Sequence, residues 1–160
     1  MKYLLMIVVF MSVNFLYAQD TDSYIEILKS ELKTNKKTII TQTMEFTDQQ
    51  SSLFWPIYGE MEKELDELNS ERIANIKDFA ANYDNMNDEK ATELIKEAFD
   101  FQSDRVSLNE EYFTKFSEAL SPTVAAKFMQ LQNQIQLVVD LSIAANLPLV
   151  KKSETGSEKK

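Results

Sequence analysis

From Phe54 to Tyr83, apolar side chains return every three or four residues: Phe54, Tyr58, Met61, Leu65, Leu68, Ile76, Phe79 and Tyr83, with Arg72 alone breaking the series. An α-helix is the structure that puts such positions on one face, because residues three and four apart stack above one another along it. The run also carries its own start signal. In Thr47-Asp48-Gln49-Gln50, Thr47 Oγ can accept from the Gln50 N–H while the Gln50 side chain reaches back to the Thr47 N–H, a capping box. Asp48 adds negative charge to the first turn, where the helix dipole favours it. Pro56 lies inside the same run and predicts a bend or local opening, since it lacks an N–H and crowds the preceding turn. From Thr47 to about Tyr83, at ~1.5 Å per residue, this helix is on the order of 50 Å long.

Two further starts repeat the logic. Met86-Asn87-Asp88 offers an apolar residue, a side-chain cap and a first-turn acid, and Leu120-Ser121-Pro122 offers an apolar residue, a capping hydroxyl and Pro at the first helical position. The first opens a helix to about Leu120 with two adjacent stripes. One holds Leu94, Ala98, Phe101, Leu108, Tyr112 and Phe116, and the other Ile95, Phe99, Val106 and Phe113. Together they cover roughly 180° of the helix, wider than one neighbour requires. The second start opens a helix to about Ala145 carrying Val124, Phe128, Leu131, Ile135 and Val138 on one face. A weaker helix precedes them all, from Asp20 to about Met44, with an exposed or kinked middle at Thr34–Thr38. With two Gly and three Pro in 160 residues, few turns are available. The fold class is all-α: long amphipathic helices in antiparallel hairpins.

Chemistry is bounded by what the chain lacks. It contains no Cys and no His. Nucleophilic triads with an imidazole base or a thiol are excluded, and zinc or copper would have only carboxylates and thioethers to bind. No catalytic, cofactor-binding or metal-ligating residue stands out, and the chain reads as a non-enzyme. A carboxylate site along Glu60, Glu62, Glu64, Asp66, Glu67 and Glu71 competes with the simpler reading of a solvated face. The formal net charge is −9, which disfavours phosphate backbones and anionic membranes, so nucleic acid is not expected as a partner.

Residues 1–18 read as a secretory signal peptide. Lys2 is the positive start, Tyr3–Met11 the short apolar core and Leu16-Tyr17-Ala18 the cleavage site before Gln19. The apolar run is too short to span a bilayer comfortably, so no stable membrane insertion is expected after cleavage. Residues 19–150 form the helical domain, and 151–160 a polar tail without an apolar pattern, expected to be disordered.

Phe46-Thr47-Asp48-Gln49-Gln50 resembles the Leu-Thr-x-x-Gln motif of the Spy/CpxP-like periplasmic proteins. Leu120-Ser121-Pro122-Thr123-Val124 resembles its second copy, with Val where Gln is usual. The order of signal peptide, leading helix, motif, long helix, further helix, second motif and last helix is similar over most of the mature chain. Phe54-Trp55-Pro56-Ile57-Tyr58 and Leu147-Pro148-Leu149-Val150 look more like uncharacterised secreted helical proteins of Bacteroidetes-type bacteria, making the chain a distant member. The resemblance implies a periplasmic, all-helical, cradle-like or bundle homodimer without a cofactor. Its partner would be unfolded proteins, bound without ATP, or a membrane sensor protein or anti-sigma system that it regulates. The motif and cap residues carried over are Thr47, Asp48, Gln50, Ser121 and Pro122. Lacking His, the chain has no ligands for the family's metal-sensing branch, and its acidity departs from a basic client surface.

Candidate partner or dimer contacts are Phe54, Trp55, Tyr58 and Met61 on the first long helix, with Phe99, Val106 and Phe113 on the next. For Phe54 and Tyr58, packing around Pro56 is the competing role. Trp55 lies about 100° around the helix from Phe54, and the Met side chains offer adaptable apolar surface.

Overall fold

Residues 35–151 are described by a computed structural model of the chain, which is all-α. The chain has two units, Met1–Glu45 and Phe46–Lys160. In the first, residues 35–44 form a helix, α1, whose buried side chains are Ile40 and Met44. It ends at Glu45, which adopts φ 51, the left-handed geometry that commonly terminates helices. The expected signal peptide and the earlier part of the leading helix lie outside the described residues, as does the tail beyond Lys151.

The second unit contains α2 (Asp48–Asn82), a 3-10 turn (Tyr83–Asn85), α3 (Asp88–Ala119) and α4 (Pro122–Asn146), with no strand among the described residues. All three expected caps form. Thr47 Oγ1 accepts from the Gln50 N–H at 3.2 Å and Gln50 Oε1 accepts from the Thr47 N–H at 3.0 Å. Asn87 Oδ1 accepts from the Lys90 N–H at 2.8 Å, and Ser121 Oγ from the Val124 N–H at 3.3 Å, ahead of Pro122. Thr47→Ala removes both the acceptor and the reciprocal geometry, and costs about 1 kcal/mol in denaturant unfolding. A shift indistinguishable from zero would mean that the box contributes nothing.

Pro56 does not interrupt α2, which continues through it as a single helix of 35 residues. Pro56 and Ser52, whose carbonyl Pro56 cannot bond, are both exposed, so water can supply the lost partner.

Cross-helix contacts fix the topology. Phe54 meets Phe116, Tyr112 meets Glu64 and Asn75 meets Leu94, so α2 and α3 are antiparallel. Phe116 meets Phe128 and Arg105 meets Asp140, so α3 and α4 are antiparallel as well. The Phe54–Phe128 and Arg72–Asp140 contacts then carry α2 to α4, which run in the same direction.

The core follows the sequence stripes. Phe54, Tyr58, Met61 and Leu65 come from α2; Leu94, Phe101, Leu108, Tyr112 and Phe116 from α3; Ala125, Phe128 and Leu131 from α4. Burying each large apolar side chain stabilises by about 1.5–3 kcal/mol. Tyr112 enters this core because its hydroxyl donates to Glu64 Oε1 at 2.7 Å. Burial, reinforced by that bond and the Glu64 charge, pushes the phenol up to about 12.

Three expected partner contacts are corrected here. Phe54 and Met61 are fully buried and Tyr58 nearly so, packed inside the unit instead of facing outward. The α4 stripe also needs correcting at its end. Val138 is exposed, while Gln132, a polar residue outside the stripe, is buried.

Arg72, the single break in the α2 series, has a structural reason. Its Nη1 donates to Asp140 Oδ1 at 2.6 Å and its guanidinium lies 5.0 Å from the centre of the Phe101 ring. Arg105 approaches the same two groups from α3, at 3.0 Å from Asp140 Oδ2 and 5.4 Å from Phe101. Beyond α4, Lys151 pairs with Asp84 and lies 4.5 Å from the centre of the Tyr83 ring, tying residue 151 to the α2–α3 turn.

Candidate functional site

The second α3 stripe stays open. Ile95, Phe99, Val106 and Phe113 retain 51%, 60%, 55% and 38% of their exposure, although the stripe beside them is buried. At about 100° per residue the four fall within roughly 40° of one another. They therefore form one apolar line along the helix rather than scattered surface residues. Gln102, Ser103 and Asn109 lie beside it uncharged, with Glu110 the acid closest in register.

The lower half of this line is one wall of a groove between α3 and α4, about 450 Å³ in volume. Val106 and Phe113 supply the α3 side, Met129 and Asn133 the α4 side, and Leu65 of α2 contributes from beneath. Further along α4, Leu137 and Leu141 are exposed, about 40–80° around from Asn133.

Of the candidate contacts, the fold brings Phe99, Val106 and Phe113 together on this line. Trp55 is separate from them: it is half-buried, packs edge-on against Phe54 and Tyr58, and donates from Nε1 to Ser51 Oγ at 3.0 Å. Thr47, Asp48, Gln50, Ser121 and Pro122 all sit at helix starts, where the bonds they make account for them. Sequence reasoning missed Gln132 and the other α4 amides of the groove. A signal existed: Gln130, Gln132, Gln134 and Gln136 alternate through a helix whose neighbours are mostly apolar.

Among the described residues, no group of three or more acidic side chains is placed to hold a metal ion. None of the described helices is long and apolar enough to cross a membrane. Comparison with protein-family models, with curated proteins and with solved structures finds no match to this chain. The class of protein rests on the fold and the surface alone: an all-α antiparallel assembly with an uncovered apolar line.

Proposed function

We propose that this chain is a non-enzymatic binding protein of the bacterial periplasm, an ATP-independent chaperone or envelope-stress protein that holds unfolded polypeptides against α3. The observation that carries the reading is the open line Ile95, Phe99, Val106 and Phe113, which the unit leaves uncovered although the neighbouring stripe is packed. Its similarity in motif order to the Spy/CpxP-like proteins supports the same assignment. An acidic surface keeps such a protein soluble while it displays apolar area.

The test is aggregation of a chemically unfolded client, followed by light scattering, with and without the protein. The wild type suppresses scattering at near-stoichiometric amounts. Phe99→Glu with Val106→Glu, both at exposed positions where a charge costs the fold little, loses most of the effect. Failure of the wild type to suppress in any salt condition would remove the proposal. Saturable binding to one membrane sensor or anti-sigma protein, without general suppression, would replace it with a regulatory role. Sedimentation of both proteins shows whether the same line also joins two copies.

A further inference from the structure

We infer that the α3–α4 groove is the seat of recognition on this surface, and that it takes an apolar polypeptide segment carrying Lys or Arg. The inference rests on the binding function proposed above and specifies which polypeptides that function selects.

The argument begins with Gln132. Its side chain lines the groove and is 5% exposed, yet its Oε1 has no hydrogen-bond partner among the described residues. A buried acceptor left unpaired is costly, and an N–H brought to it as an occupant displaces the side chains that now cover it would relieve that cost. Polypeptide backbone presents such donors at every residue except proline.

Charge selects further. The groove has two ionisable residues, Arg105 and Glu110. Arg105 is already engaged by Asp140 at 3.0 Å. Among the described residues the Glu110 carboxylate has no partner, and it shares the groove wall with the exposed side chains of Phe113 and Val106. The Gln132 oxygen and the Glu110 carboxylate are both acceptors, so an occupant that donates and carries positive charge is favoured. Val106, Phe113 and Met129 require the rest of it to be apolar, with the Met thioether able to adapt to different side chains. The chain's net charge of −9 draws a cationic segment toward the surface and repels an anionic one.

The experiment measures anisotropy of two fluorescent peptides with the full-length protein: Leu and Phe residues flanked by lysines, and the same peptide with glutamates in the lysine positions. The lysine peptide binds, and the glutamate peptide binds at least about tenfold more weakly. Glu110→Gln reduces affinity for the lysine peptide several-fold and flattens its salt dependence. Gln132→Met keeps the side-chain volume, raises the melting temperature by removing an unpaired oxygen, and weakens binding about three- to tenfold. Equal binding of the two peptides, or unchanged affinity in either variant, overturns the inference. If that happens while clients are still protected, the chaperone reading stands and the groove is not its site. If neither peptide binds and no client is protected, both fail. A dimer that Gln132→Met takes apart, with no peptide bound, assigns the groove to a second copy and overturns the inference too.

Discussion

Phe54→Ala is expected to destabilise the protein by about 3–5 kcal/mol, the range for removing a fully buried aromatic ring. Among the described residues no other aromatic ring makes as many ring contacts. Its ring centre lies 4.5 Å from Phe46, 5.0 Å from Phe116 and 4.9 Å from Phe128, and it also touches Trp55 and Tyr58 on its own helix. The substitution therefore loses the burial of the ring, leaves a cavity where three helices meet, and removes ring–ring contacts worth about 0.5–1.5 kcal/mol each. Against a typical total of roughly 5–15 kcal/mol, this takes away a large share of the stability. Phe99→Ala is the matched control, because that ring is 60% exposed and should cost less than about 1 kcal/mol. Denaturant unfolding of the two variants checks both values. Similar losses for both would mean that the Phe54 cluster is not the packed centre.

Asp140→Asn should cost about 2 kcal/mol at neutral pH. Breaking a fully buried pair costs about 3–5 kcal/mol, and partial exposure lowers that figure here. Asp140 accepts from Arg72 at 2.6 Å, Arg105 at 3.0 Å and Gln136 at 3.0 Å. Without its charge, two guanidiniums stacked on the same Phe101 ring face each other uncompensated. Burial by itself would raise the Asp140 carboxyl, but the bonds from Gln136, Arg72 and Arg105 outweigh it and hold the group below the usual carboxylate range. The sign of the pH dependence follows. A depressed carboxyl binds its proton less readily in the folded state, so its stabilisation is present above the ordinary value of about 3.9 and is lost as pH falls through the folded value. The gap between wild type and Asp140→Asn should therefore be full at pH 7 and narrow in acid. Unfolding curves for both proteins across that window measure it. A gap that stays constant would show that the charge of Asp140 is not what holds the two arginines.

Much of the local structure was legible because it depends on neighbours in the chain. Thr47, Asn87 and Ser121 cap helices through groups three residues away, and the structure forms each cap where the sequence predicts it. The consequence of Pro56 was harder to read. Its missing N–H predicts a disturbance, but both it and Ser52 lie on the exposed side, where water removes the penalty.

The candidate site was legible only in part. The width of the α3 apolar surface marked Phe99, Val106 and Phe113 as able to stay open, whereas Phe54, Tyr58 and Met61 stood both in the core stripe and among the candidate contacts, because an aromatic-rich run looks the same in a core or at an interface. Burial places them in the core. Gln132 stood out only in the alternation of glutamines along α4, and that it shares a groove with Glu110 follows from α3 and α4 lying side by side.

By itself, the sequence determined the all-α class, the three helix starts and the absence of imidazole and thiol chemistry. Each of these depends on residue identity or on bonds spanning one helical turn. Only the tertiary structure decided which α3 stripe is buried, why Arg72 interrupts α2, and that Gln132 is buried beside the α3–α4 groove. Those outcomes depend on which faces meet, and residues as far apart as Arg72 and Asp140 are brought together by helix packing that no local pattern encodes.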